Sequence, residues 1–547
     1  MLEGMDLSGV ESYEEAREEF EWEIPDKFNM GTAAIDQHAD DRGRVAHFWE
    51  NKYGENETWT FWQFQKRANQ YGNALDDLGI TQDDVVAVHV PQQPETIIAH
   101  TGTWRYGAIS LPLAYTFEKD GIRYRLNDSE TKAIVVHETK MDTIREIKDD
   151  VDSLEHILIV GDGEPQDDDE ILFNDYLDEK STEFEPADTT PEDDCLLMYT
   201  SGTTGDPKGV LHGHRILIGH LPGFQMLHNM EMEGVYYTPA DWAWAGGMFD
   251  CLVPALFYGQ PVVGTNLGKF IPEQQYELME KFGISHGFVP PTALNMLRQE
   301  DDDPYDLELE FIVSGGESLT PEALEWGQER GIHINELYGQ TEANLLVGNC
   351  DKLWDVKPGS MGLPFPGHEV EVIDQDTLEP CEPRELGEIA LKADDPVKFK
   401  KYINKPEKTE EVHEGDWYLT GDLAEKDEDG FIWFQSRDDD LIISSGYRIG
   451  PVEVENEIME VEEVAEVAVV GIPDEVRGNI VKAYVQVADG AEPSDGLREK
   501  IQDHVKNNLA KHEYPRELDF VDEFPKTATG KIRRKTLRDR EIEKQQD

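Results

Sequence analysis

Short β-rich apolar runs alternate with helix-compatible stretches over the first four-fifths of this chain, and that alternation narrows the fold more than any other feature. The runs include VVAVHV (85–90), KAIVVHE (132–138), HILIVG (156–161), LEFIVSGG (309–316) and HINELYG (333–339). Each is short and rich in Val and Ile, the pattern of a buried strand. Between them lie segments such as PEALEWGQER (321–330), whose Pro321 suits the first turn of a helix. Strands alternating with helices point to α/β architecture with largely parallel sheets. The acidic, proline-containing stretch 162–194 reads as a surface loop.

At 547 residues the chain is too long for one core. The expected division is a large N-terminal domain of layered α/β subdomains, 1–436, and a small α+β C-terminal domain, 437–547. Before the boundary, DWYLTGD and GFIWFQSR form a hairpin around the acidic turn EKDEDG. After DDD comes a module with its own pattern: a helix (PVEVENEIMEV), strands (VAEVAVVGI, VKAYVQVA), a helix near 496–509 and a strand (RELDFV). About 110 residues suffice for an independent domain. No internal repeat or low-complexity linker stands out.

Composition excludes some functions. Asp and Glu number 116 against 49 Lys and Arg, a formal net charge of −67. Nonspecific nucleic-acid binding needs the opposite sign. The acidity is spread along the chain rather than gathered in a tail, which fits a solvated carboxylate surface. Four cysteines, Cys195, Cys251, Cys350 and Cys381, form no CxxC pair and suit neither a zinc site nor a disulfide framework, as in a reducing cytosol. The N-terminal stretch is acidic and lacks an apolar h-region, which argues against a signal peptide. No run of about 18 apolar residues supplies a membrane span.

The strongest chemical signal is CLLMYTSGTTGDPKGV, an apolar strand that breaks into a Gly/Ser/Thr loop: Thr200, Ser201, Gly202, Thr203, Thr204, Gly205, Asp206, Pro207 and Lys208. Its hydroxyls and exposed amides can donate to phosphate oxygens, and Lys208 adds a cation. It is not a Walker A loop, because Pro207 stands where the second glycine belongs and Gly209 follows the lysine.

This loop, together with GGES (315–318), ELYGQTE (336–342), YLTGD (418–422), SRDDDLIISSGYRIGP (436–451) and PKTATGKIRR (525–534), resembles the adenylate-forming enzymes: acyl-CoA synthetases, firefly luciferase and peptide-synthetase adenylation domains. All six motifs occur in that family's order. The likeness is greatest to medium-chain acyl-CoA synthetases and AMP-forming acetyl-CoA synthetases.

The resemblance implies an AMP-forming acyl-CoA synthetase using ATP, Mg²⁺ and CoA. It places the β- and γ-phosphates on Thr200–Lys208 and Mg²⁺ on Glu342. Gly316, Glu317 and Ser318 would line the adenine pocket with Glu336, Leu337, Tyr338, Gly339, Gln340 and Thr341. Asp422 would grip the ribose hydroxyls, with Arg437 and Arg448 on ribose or phosphate. Lys531 would be catalytic, bridging carboxylate and α-phosphate. The small domain would be mobile, rotating about a hinge at Asp439 to bring Ser445, Gly446, Tyr447 and Arg477 to CoA. Glu513 stands where relatives often carry a lysine. Trp244, Ala245, Gly246 and Gly339 would form the acyl pocket. Glycine at 339, where acetate-specific relatives tend to carry tryptophan, favours a short- to medium-chain or small aromatic acid.

Within that family a stand-alone ligase loading a carrier protein, and a luciferase-like oxygenase, stay open; outside it, a non-catalytic nucleotide sensor does. A homo-oligomer is compatible with the sequence. A charge of −67 implies self-repulsion that salt relieves, since the screening length falls to about 3 Å at 1 M. A salt-rich cytosol is therefore expected. The melting temperature should climb with KCl up to molar concentrations; full stability in dilute buffer would contradict this.

Overall fold

The computed structural model describes residues 5–200, 207–300, 305–317, 319–444, 447–474, 477–488, 490–509, 512–526 and 531–546. Two compact units emerge: one of Met1–Thr200, Pro207–Glu369 and Lys392–Glu411, the other containing Val370–Leu391 and Val412–Asp547.

The first unit holds two mainly parallel sheets. An eight-stranded sheet runs Lys401–Tyr402, Lys208–Gly213, Asp194–Thr200, Ile109–Pro112, Val85–His89, Ala133–His137, His156–Val160 and Glu170–Leu172. A nine-stranded sheet runs Leu363–Pro364, Val347–Gly348, His333–Tyr338, Phe311–Gly315, His286–Phe288, Tyr236–Tyr237, Val262–Asn266, Val45–Asn51 and Asn56–Thr60. The central strands of both are buried on both faces, as the Val/Ile-rich runs require. Helices cover them. Pro321–Arg330, for instance, opens on Pro321 and closes on left-handed Gly331.

One sequence expectation needs correcting. Stretch 162–194 is not all loop: Glu170–Leu172 adds a parallel strand beside His156–Val160, and Phe173–Asp178 is a helix. Phe173 and Leu177 are fully buried. Their two apolar anchors, enough to dock one turn, are hidden in an otherwise acidic composition.

The second unit holds two five-stranded sheets. One contains the hairpin Trp417–Lys426 and Ile432–Arg437. The other contains Tyr447–Ile449, Ile442–Ser444, Gly478–Val487, Val464–Asp474 and Glu517–Phe520. Helices Pro451–Met459 and Asp495–Asn508 pack on the latter through Val454, Ile458, Ile501 and Val505. The C-terminal helix Arg534–Gln546, which the sequence reading did not anticipate, has few apolar residues and docks partly through ion pairs. Arg534 is bidentate to Glu455 at 2.9 and 2.6 Å, and Lys482 meets Glu541 at 2.8 Å.

Among the described residues, no helix is long and apolar enough to cross a membrane. All four cysteines are free thiols.

Candidate active site

The strands Asp194–Thr200 and Lys208–Gly213 are antiparallel, with Thr200 opposite Lys208. The Gly/Ser/Thr loop is therefore a hairpin connection whose two feet are fixed by a sheet. Ser201, Gly202, Thr203, Thr204, Gly205 and Asp206 lie outside the described residues. At one foot the Thr200 hydroxyl is buried without a hydrogen-bond partner among the described residues. Such a group costs free energy until an acceptor or donor reaches it. At the other foot the Pro207 carbonyl accepts from Tyr124 Oη at 2.9 Å and Lys405 Nζ at 3.1 Å.

Lys208 Nζ lies 3.2 Å from Tyr402 Oη, which accepts its hydrogen bond, and 4.0 Å from Glu342 Oε1. The Tyr402 hydroxyl donates to that same Oε1 at 2.7 Å. Glu342 is nearly buried, and its backbone carbonyl accepts from Phe399 N at 2.7 Å. The loop carrying it is a tight turn in which Gln340 and Ala343 exchange backbone hydrogen bonds. His212, on the second strand of the hairpin, donates from Nε2 to the Thr341 carbonyl at 2.9 Å. Burial lowers His212 to about 3, so the ring is neutral and one nitrogen carries the proton it donates.

The GGES and ELYGQTE motifs meet for a topological reason. Phe311–Gly315 and His333–Tyr338 are parallel neighbours, with Gly315 opposite Leu337. Both motifs thus leave the sheet at the carboxyl ends of adjacent strands, where open α/β sheets bind ligands. Gly316 (in the left-handed region) and Glu317 are exposed there, and Thr292 Oγ1 donates to Glu317 at 3.3 Å. Ser318 lies outside the described residues. The Leu319 amide donates to Glu336 Oε1 at 3.3 Å, joining the two motifs. Burial raises the Glu336 carboxyl from 4.5 to about 8. Tyr338, Gly339, Gln340 and Thr341 are each partly exposed beside it, whereas Leu337 is buried.

The acyl-pocket candidates occupy the same edge, since Tyr236–Tyr237 is parallel to His286–Phe288 and precedes their segment. Trp244 and Ala245 are half-buried, with Trp244 edge-on to Phe117 at 5.6 Å; Trp242 is buried core against His47. A Cβ at Gly246 would stand 2.5 Å from the Phe288 ring. A Cβ at Gly339 would stand 2.7 Å from Asn344 Cα, so close packing of the turn is itself a reason for glycine there.

In the second unit, Asp422 faces Arg437 across the hairpin, with Nε 3.6 Å from Oδ1. Asp422 is largely buried and its amide donates to Thr420 Oγ1 at 3.2 Å. Gly421, with φ of 73°, makes the turn that lets its amide reach Glu388 at 2.8 Å. Asp439 sits in the single turn Asp438–Asp440, its carbonyl accepting from Arg538 at 2.9 Å. Ser444 pairs with both Tyr447 and Gly478, so Tyr447 and the Arg477 turn come to one end of a sheet. Tyr447 is exposed and stacks on His512 at 4.0 Å; beside it His512 is 3.7 Å from Glu513. Ser445, Gly446 and the Arg448 side chain lie outside the described residues. Lys531 is exposed, next to a bridge between Lys526 and Ile532.

Sequence reasoning missed Tyr402, His212, Asn344 and Asp250. Tyr402 lies 60 residues from Glu342, with no motif to flag it. His212 lies on the strand that leaves the loop, and a polar residue in that apolar run was the one available signal.

Residues 35–399 match the AMP-binding enzyme family, and residues 453–531 match the AMP-binding enzyme C-terminal domain. The chain is 38% identical over 504 residues to an uncharacterized acyl-CoA ligase, YtcI, of Bacillus subtilis, covering 91% of this chain and 93% of that one. It is 35% identical over 550 residues to acetyl-coenzyme A synthetase of the same organism, covering 97% and 95%. The crystal structure of the anthranilate CoA ligase AuaEII with anthranoyl-AMP superposes with a TM-score of 0.85 at 27% identity, over 96% of this chain and 99% of that one. The chain belongs to the AMP-binding enzyme family, within its acyl-CoA synthetase class.

The raised Glu336 carboxyl gives a pH prediction. The folded state binds this proton more tightly than the unfolded chain, so its stabilising contribution is full below the ordinary glutamate range and is lost as pH rises through about 8. Glu336→Gln should therefore gain in melting temperature relative to the parent between pH 5 and pH 9. Parallel curves across that range would contradict it.

Proposed function

We propose that this protein condenses a carboxylic acid with ATP to give an acyl-adenylate and pyrophosphate, then transfers the acyl group to CoA with release of AMP. The observation that carries the reading is the cluster of Lys208, Tyr402 and Glu342 at the foot of the Gly/Ser/Thr hairpin. It combines a cation and a nearly buried carboxylate next to a threonine hydroxyl without a hydrogen-bond partner among the described residues, the donor and acceptor set a metal-bound polyphosphate needs.

In the first step two anions must approach, so charge neutralisation is the main catalytic task. Thr200 and Lys208, with the loop between them, hold the β- and γ-phosphates. Glu342 suits Mg²⁺, which favours one or two carboxylates together with phosphate oxygens; when bound, the ion would neutralise phosphate charge. Tyr402 orients that carboxylate, and the Phe399 amide fixes the backbone that carries it. Glu336–Thr341 with Gly316–Ser318 receive the adenine, and Asp422 with Arg437 and Arg448 the ribose and phosphate. Lys531 stabilises charge between carboxylate and α-phosphate.

For the second step we place CoA against Ser445–Tyr447 and Arg477, with the C-terminal domain, 437–547, turning about Asp439. Glu513 on this surface argues that phosphate is held mainly by Arg477. The acid is short- to medium-chain or small and aromatic. A solved relative holding an aromatic adenylate supports the latter half of that range. One methylene discriminates by only about 1–3 kcal/mol, so a broad range is expected. The high acidity supports a salt-rich cytosol as the working compartment.

Pyrophosphate release with a panel of acids, with and without CoA, tests the reading. Release together with thioester is expected. Release without thioester would favour a carrier-dependent ligase, and no release with any acid a nucleotide sensor. Lys531→Ala should slow adenylate formation by roughly 10²–10³-fold while largely sparing thioester formation from preformed acyl-AMP. Equal loss of both steps would remove Lys531 from this role.

A further inference from the structure

Asp250 is a buried acid that the steps above do not use. It lies in the one-turn segment Met248–Leu252, directly after the acyl-pocket candidates, and is 2% exposed. Its Oδ1 accepts from Asn344 Nδ2 at 2.6 Å. Asn344 in turn packs against Gly339, where a Cβ would meet its Oδ1 at 2.5 Å. On the other side, Asp250 Oδ2 is 3.4 Å from where a Cβ on Gly246 would stand. Asp250 therefore spans the two segments from which the acyl pocket is built, with Phe288 as the apolar wall against Gly246.

A carboxyl in this setting is expensive. No Lys, Arg or His forms an ion pair with Asp250 among the described residues, and Asn344 is its one hydrogen-bond donor there. Burial pushes its pKa far above the ordinary range. An apolar residue would serve a pocket for plain alkyl chains better, since a buried polar group without partners destabilises whatever surrounds it. Asn344 already fixes Oδ1, which leaves Oδ2 facing the Gly246 backbone.

We propose that Asp250 is a specificity-determining residue of the acyl pocket, its Oδ2 hydrogen-bonding an amino or hydroxyl substituent carried by the acid away from its carboxylate. The inference rests on the acyl-CoA synthetase reading above and narrows it to amino- or hydroxyl-bearing acids. A site built to bond such a group rejects the analogue lacking it far more strongly than an apolar pocket rejects a missing methylene, because the buried polar group is then left unpaired.

The test is a comparison of kcat/KM for amino-, hydroxy- and methylbenzoates at each ring position, and for 6-aminohexanoate, 6-hydroxyhexanoate and heptanoate. The wild-type protein should favour at least one amino or hydroxyl acid over its methyl isostere by about 10-fold or more; which donor wins identifies the substituent. Asp250→Leu keeps the approximate volume but removes the hydrogen-bonding group at the Oδ2 position. It should reduce that preference by about 10-fold in a protein that still melts cooperatively. A merely structural role would change stability and leave the ratio alone. Turnover of all acids without preference for an amino or hydroxyl substituent would overturn the inference while leaving the synthetase reading intact, as would an unchanged ratio in Asp250→Leu. Failure to release pyrophosphate with any acid would overturn both.

Discussion

The Glu342 carboxylate ties the first unit's two large sheets together. It accepts the Tyr402 hydroxyl, lies 4.0 Å from the Lys208 ammonium, and follows the turn that His212 holds through the Thr341 carbonyl. Tyr402, Lys208 and His212 belong to the eight-stranded sheet, while Glu342 extends from a strand of the nine-stranded one. A single nearly buried acid thus joins the Thr200–Lys208 hairpin to the edge where GGES and ELYGQTE leave the nine-stranded sheet. At that depth its side chain is satisfied by a hydroxyl and faced by a cation. Those same partners are what a metal-bound polyphosphate would exchange with.

Topology supplies the rest of the arrangement. Parallel strands put GGES, ELYGQTE and DWAWAGGM at one edge although they are far apart in sequence. In the second unit the hairpin register does the corresponding work, setting Asp422 opposite Arg437, while Ser444 brings Tyr447 and the Arg477 turn together. Each of these pairs is brought together by backbone pairing.

Much of this was legible in the sequence because its signals are local. Val/Ile runs gave the central strands, Pro321 and Gly331 bracketed a helix, and the six motifs marked the loops. What stayed hidden depends on contacts between distant segments. Tyr402 and Asn344 matter only because a sheet edge and a turn bring them to Glu342 and Asp250. Phe173 and Leu177 were masked by acidic neighbours, and the C-terminal helix Arg534–Gln546 is held partly by charge pairs that periodicity does not register. Gly339 shows the opposite hazard. A residue read for substrate size also answers to the backbone of Asn344, which leaves no room for a side chain in this turn.

The direct test of adenylate chemistry is the fate of isotopic oxygen. An accepted acid labelled with ¹⁸O in both carboxylate oxygens, incubated with ATP and CoA, should deliver one ¹⁸O atom to AMP per thioester formed and none to pyrophosphate. That transfer follows only if the carboxylate attacks the α-phosphate and the P–O bond is retained when CoA takes the acyl group. Thioester formation with unlabelled AMP, or with label in inorganic phosphate, would contradict an acyl-adenylate intermediate.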